Sequence, residues 1–294
     1  MLENARPSEA VKTICLGGVN THFEGADDDP YFLALKEKAE EIEPLGELVA
    51  RHVPRDATVI DVGANIGLSA ITLARLTKHV VAFEPSPRSA EFLRRNLELN
   101  HIDNVEVVNA AVSSHAGKLH FHVAQFGAGS HVVSDGHLLR GISKIDVPAF
   151  PLDQFNFPAV AFIKIDVEGH EPEVLAGARR PLTRDRPLIQ LEINIWCLTA
   201  YGDHGPGALI RKLWEKFEVS MPTADGCIEP LESALDFLHR TILETGSIAD
   251  VVLRPRTGVE MATLPELSWP EAAIAALRSN LQGDGNLTNV VIQS

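Results

Sequence analysis

The chain has 294 residues, 45% hydrophobic and 22% charged, with a formal charge of −14. That is enough apolar material for a large α/β core, and too acidic a balance for a protein whose main task is gripping phosphate backbones. Three widely spaced cysteines, Cys15, Cys197 and Cys227, form no disulfide framework or C-x-x-C metal motif. An acidic, proline-bearing start and no run of roughly 20 apolar residues argue against a leader or membrane span, so a cytoplasmic, membrane-free protein is expected.

Residues 1 to about 30 are polar, include Asp27, Asp28 and Asp29, and read as an arm or partial cover. From Tyr31 to His52, apolar residues recur every three to four positions with Pro44 between them, which predicts two short helices. Residues 1–54 are thus an N-terminal arm and helical lead-in. The main domain, 55–255, opens with a buried strand, a glycine turn and a helix start in TVIDVGANIG, Thr58 to Gly67. A second strand, His79 to Phe83, ends in Glu84; Ser86 and Pro87 start a helix to about Asn100, and Val105 to Val108 make a third strand. This alternation implies a parallel sheet with helices on both faces.

Between about residues 118 and 150 the pattern becomes alternating and glycine-rich, which predicts an antiparallel insertion on the rim. Parallel order resumes with a fourth strand, Val160 to Ile165, ending at Asp166, then a helix from Glu171 to Ala178 and a fifth strand, Leu188 to Ile193. A helix at Ala208 to Phe217 and strands near Phe217 to Met221 and Ala249 to Leu253 complete the domain. Residues 256–294 form a C-terminal extension with a helix expected at Pro270 to Leu277. Arg179, Arg180, Arg184 and Arg186 read as a solvated face at an exposed helix end and loop.

Open α/β sheets bind ligands beyond the carboxyl ends of their strands, where Asp61, Glu84, Asn109 and Asp166 fall. Glu84 lies where a carboxylate accepts from both hydroxyls of a ribose. A dinucleotide fingerprint wants glycines at the positions held here by Asn65 and Leu68, and Asp61 would repel a phosphate while suiting an ammonium or sulfonium group. A ribose, an amine and a sulfonium without phosphate describe S-adenosylmethionine, and favour it over NAD.

The segments DVGANIG, AFEPSP, NAAVS, FIKIDVEGHEPEVLAGA and RPLIQLEI resemble the FkbM-type family of S-adenosylmethionine-dependent methyltransferases over about Arg55 to Ile195. The resemblance implies a Rossmann-like seven-stranded methyltransferase sheet with a reversed last hairpin, and methyl transfer to a hydroxyl of a sugar or natural-product small molecule. It places Gly63, Asn65 and Gly67 around the methionine part, Asp61 near its amine, Glu84 on the ribose, and Pro85 and Ser86 beside the adenosine. Asn109 and Ala110 stand where related enzymes read the adenine.

Asp166, Glu168 and His170, just past the fourth strand, are the candidates for the base an alcohol acceptor needs. Glu168 equally suits capping of the following helix, and His170 suits an exposed helix start. A divalent ion on Asp166, Glu192 and Asn194 is a variant; shaping of the acceptor pocket by Glu192 and Asn194 is preferred, and no metal is assigned. His120 and His122, with His131 and His137 nearby in sequence, read as a polar outward face of a rim strand and not as a zinc site. The expected partner is a small hydroxylated acceptor, not nucleic acid or membrane, and a homodimer is compatible with this reading. Competing readings are a non-catalytic cofactor-binding module that engages a protein partner, and a nicotinamide-dependent oxidoreductase.

Overall fold

The computed structural model describes residues 8–123, 131–133, 143–200, 205–259 and 261. The stretch expected as an arm is a hairpin instead: β1 (Glu9–Leu16) pairs antiparallel with β2 (Val19–Ala26). Gly17 and Gly18 both take positive φ, 57° and 77°, as the tightest two-residue hairpin turn requires. Ile14, Leu16, Thr21 and Phe23 face inward, while Thr13, Cys15 and His22 stay exposed.

Asp29 then caps α1 (Pro30–Leu33), and α2 (Leu35–His52) runs 18 residues without a break at Pro44. The expected interruption is absent because the carbonyl that proline leaves without an intrahelical donor belongs to the exposed Glu40, where water can serve it. Leu35, Ala39, Leu45, Leu48 and Val49 supply the buried side of α2.

The central layer follows from short apolar runs buried on both faces. β3 (Thr58–Val62) leads into α3 (Leu68–Leu76), β4 (His79–Phe83) into α4 (Pro87–Leu99), and β5 (Val105–Val108) follows. β6 (Ala111–Val112), β7 (Gly117–Val123), β8 (His131–Val133) and β9 (Ser143–Phe150) make a separate rim sheet, antiparallel except where β6 meets β9. The main sheet resumes with β10 (Val160–Ile165); the helix expected next is α5 (Glu171–Ala176), two residues shorter than expected, and an unanticipated α6 (Arg179–Arg184) follows. After β11 (Leu188–Asn194) come α7 (Ile195–Ala200), α8 (Pro206–Lys216) and β12 (Phe217–Pro222). A short β13 (Ile228–Pro230) and α9 (Ala234–Glu244), neither anticipated, precede β14 (Ile248–Pro255).

The strand order is β13-β12-β14-β11-β10-β3-β4-β5. The β5 to β11 portion is parallel, and β14 runs antiparallel between β11 and β12. β14 is thus a reversed member of the kind the resemblance implied, and with β13 at the edge the sheet has eight strands where seven were expected. Strand order reverses between β3 and β10, so the crevice opens above their carboxyl ends. The expected helix at 270–277 lies outside the described residues, as does His137. No helix among the described residues is long and apolar enough to cross a membrane.

Candidate functional site

A cavity of about 720 Å³ opens at the carboxyl edge of the sheet, within the range of roughly 300–1,000 Å³ typical of small-molecule sites. Its centre is the turn after β3. Gly63 has φ 89°, and a Cβ there would lie 1.8 Å from the carbonyl oxygen of Asp166, so the two strand ends meet with no room for a side chain. Asn65 also takes a positive φ, 49°, and its N–H donates to Glu84 Oε2 at 2.9 Å.

Glu84 Oε1 accepts from the Ser86 N–H at 2.8 Å, and Ser86 Oγ in turn caps α4. Both carboxyl oxygens are therefore fixed while the residue stays part of the cavity wall, and burial pushes its pKa up to about 7. Of the residues assigned to the donor from the sequence, Gly63, Asn65, Glu84, Pro85, Ser86 and Ala110 line the cavity.

Three other expected donor contacts are placed elsewhere. Asp61 is wholly buried below the turn, where its Oδ2 accepts from Ser69 Oγ at 2.7 Å and Lys164 Nζ stands 3.8 Å from Oδ1, so it does not line the cavity. Gly67 serves packing: a Cβ there would meet Leu93 Cδ1 at 2.6 Å. Asn109 spends its amide on the carbonyls of Glu84 and Pro85, at 2.8 and 3.1 Å, and steadies that loop from outside the cavity.

At the other end, register sets Asp61, Lys164 and Gln190 side by side on β3, β10 and β11. Lys164 Nζ lies 3.1 Å from Asp166 Oδ2. Burial alone would lower the Lys164 pKa, but Asp166 and Asp61 more than offset it and hold the ammonium charged. Asp166, Glu168 and Glu192 converge, with oxygens all within 4.8 Å of one another, a spacing that a divalent cation tolerates. Two of them already have partners. Lys164 occupies Asp166, while Glu168 Oε2 accepts from Asn194 Nδ2 at 3.1 Å and from the Cys197 thiol at 3.0 Å. Asn194, whose Oδ1 accepts from the Cys197 N–H, supports the acid cluster through Glu168 and does not itself line the cavity.

The charge of Asp166, reinforced by burial, lifts Glu192 to about 10, so Glu192 holds its proton at neutral pH. Burial first and Asp166 second also raise Glu168. His170, at the start of α5, lines the cavity and places Nε2 3.1 Å from Ser113 Oγ, just past β6. On the rim strand, His120 Nδ1 stands 2.8 Å from Asp146, and His122 is 2% exposed instead of facing solvent. Neither belongs to a group of potential metal ligands among the described residues.

Several wall residues escaped the sequence reading. Tyr31, Lys38 and Glu41 come from α1 and α2, Phe121 from the rim sheet, Lys164 and Gln190 from the central strands, and Ile248 and Asp250 from the start of β14. Lys164 carried a legible signal, a lone cation inside the apolar run FIKI, because a charge in a central strand demands a partner. The others have no signature in their own segments; tertiary packing alone brings them to the crevice.

Residues 61–202 match the family model described as Methyltransferase FkbM domain. The chain is 27% identical over 150 residues to the 2-O-methyltransferase NoeI of Sinorhizobium fredii, a match covering 45% of this chain and 61% of that protein. It is 31% identical over 138 residues to the hexuronic acid methyltransferase AglP of Haloferax volcanii, covering 46% of this chain and 55% of the relative. These matches span somewhat over half of each relative's length. Among solved structures, the FkbM methyltransferase of Methylobacillus flagellatus aligns with 76% of this chain and 52% of its own, at 16% identity and a TM-score of 0.40.

Proposed function

We propose that the protein uses S-adenosylmethionine to methylate a hydroxyl oxygen of a small polyhydroxylated acceptor, on the ground that residues 61–202 match the FkbM methyltransferase domain. One observation carries the reading: one cavity holds Glu84, its two oxygens fixed by backbone N–H groups, together with a carboxyl cluster of Asp166, Glu168 and Glu192. β4 and β11 are three strand spacings apart, roughly 14 Å, which supports a reading with the donor's nucleoside over β4 and the acceptor over β10 and β11.

The donor chemistry fits the wall. Gly63 leaves the backbone bare beside the methionine part, Glu84 offers anionic oxygens to two hydroxyls, and Phe83, Ala110, Ala111, Val112 and Phe121 give an apolar end for a purine. S-adenosylmethionine, when bound, supplies an activated methyl on a sulfonium. The chain's residues align the acceptor in line with it, exclude water, and accept a proton. Asp166, with Lys164 on one oxygen, takes the hydroxyl proton as the new O–C bond forms and the C–S bond breaks. Protonated Glu192 donates a hydrogen bond to a neighbouring hydroxyl and so orients the acceptor. The carbohydrate class is favoured by the relative named for hexuronic acid.

Calorimetry with S-adenosylhomocysteine and with NAD tests the donor half. Binding of the first and not the second is expected, and the reverse overturns the reading. Methyl-labelled S-adenosylmethionine with a panel of uronic acids, neutral sugars and hydroxylated polyketides tests the acceptor half. Repeated turnover on one class is expected. Donor binding without transfer to any panel member favours a non-catalytic module.

A further inference from the structure

We propose that the hairpin and helices preceding the family domain form the outer wall of the donor site, and that Asn96 is the positioning residue that clips them onto the donor turn. This rests on the donor half of the function proposed above. Asn96 on α4 is 0% exposed and uses its whole amide. Its Oδ1 accepts from the Glu24 N–H on β2 at 2.6 Å, and its Nδ2 donates to the Glu24 carbonyl at 3.1 Å and to the Ile66 carbonyl at 2.9 Å. Ile66 sits between Asn65 and Gly67 and lines the cavity. One side chain thus spans from a strand outside the family domain to the turn that faces the donor.

The rest of the attachment repeats this pattern. Asn100, one helical turn on, accepts from the His22 N–H at 2.9 Å and donates to the His22 carbonyl at 2.7 Å, while Arg95 reaches Glu9 and Glu24. Phe23, Phe32 and Leu35 share one apolar cluster with Ala64, Ile66 and Leu68 of the turn. Held in this way, the chain beyond β2 delivers Asp28, Asp29 and Tyr31, and then Lys38, Glu41 and Ile42, to the cavity wall. A buried amide with every hydrogen bond used is costly to disturb, so the hairpin, the Ile66 carbonyl and the wall should move as one body.

The test uses the full chain with S-adenosylhomocysteine as probe. Asn96→Leu keeps the branched side-chain shape and removes the three hydrogen bonds; its dissociation constant should rise about tenfold at a temperature where unfolding is negligible. In the wild type, S-adenosylhomocysteine should slow hydrogen exchange at the His22 and Glu24 amides, and Asn96→Leu should abolish that coupling. A purely structural asparagine would lower the melting temperature and leave both readouts unchanged, which would overturn the proposal. Should Asn96→Leu fail to fold, the wild-type exchange decides: slower exchange at the His22 and Glu24 amides on binding S-adenosylhomocysteine supports the proposal, and exchange there that the bound ligand leaves unchanged refutes it. Wild-type protein that does not bind S-adenosylhomocysteine at all would refute the donor assignment instead.

Discussion

Replacing Glu84 with glutamine is the sharpest single perturbation of the donor site. In the wild type the carboxylate accepts the Asn65 N–H at 2.9 Å and the Ser86 N–H at 2.8 Å, and each oxygen retains a lone pair for a ribose hydroxyl. Glutamine keeps one acceptor and turns an NH₂ toward the other backbone donor, so one ribose bond is lost and the remaining one is no longer charge-assisted. Hydrogen bonds to charged groups are worth about 1.5–3 kcal/mol, so the combined loss is about 3 kcal/mol, or roughly a hundredfold in affinity. Isothermal calorimetry with S-adenosylhomocysteine reads this directly. The acid also predicts a pH dependence. Burial raises the free carboxyl to about 7, and ribose hydroxyls favour its ionised form, so affinity should climb about tenfold per pH unit below 7 and level off above it. Glu84→Gln should flatten that profile. An affinity within threefold of wild type, or a Glu84→Gln profile that still climbs toward pH 7, would refute the ribose assignment.

Three further expectations follow from the same packing. Gly63→Ala places a methyl 1.8 Å from the Asp166 carbonyl at a φ of 89°, where β3 and β10 are both locked in the sheet; urea unfolding should report a loss above about 4 kcal/mol, and an unchanged midpoint would contradict the close approach. Lys164→Met strips the buried Asp61 of its cation and should cost about 3–5 kcal/mol, whereas Asp61→Asn combined with Lys164→Met should recover much of the loss; equal melting points for the single and double variants would show that the pair is uncoupled. Burial lifts Glu84 to about 7 and Glu171 to about 8, so the folded state binds protons more tightly than the unfolded chain. The stability these acids confer is complete below about 4.5 and is lost as pH rises through 7 and 8, and scanning calorimetry of the ligand-free protein should show a falling melting temperature from pH 5 to 8.

The sheet was legible because its central strands are the least ambiguous segments of the chain: β3, β4, β10 and β11 are short apolar runs, each closed by a glycine turn, a proline or a polar residue. The hairpin was not, although Gly17 and Gly18 advertised it, because its inward positions include Lys12, Thr21 and Gly25 and so lack apolar alternation. Within the site, position along a strand placed Glu84 and Asp166 at the cavity but misplaced Asp61, which lies one residue short of the end of β3 and points beneath the turn. Asn109 and Asn194 looked like ligand contacts because polar residues at strand ends usually face the crevice, whereas here each satisfies neighbouring groups of its own backbone or cluster. Tyr31, Lys38 and Asp250 were beyond reach for a different reason: nothing local distinguishes them from solvated residues, and only the packing of α1, α2 and β14 brings them in.

The reversed strand has a consequence for how the molecule comes into being. β14 enters the sheet at the edge where the parallel strands finish, so Ile248 and Asp250 complete a wall begun by residues near the opposite end of the sequence. Its insertion between β11 and β12 follows the other main-sheet strands in chain order, because every strand it pairs with or closes upon precedes it in the sequence. During synthesis from the amino end, the glycine turn and Glu84 would emerge and fold against a crevice still lacking one side. The capacity to enclose a methyl donor would therefore arrive only with β14, well after the turn that faces the donor has been made.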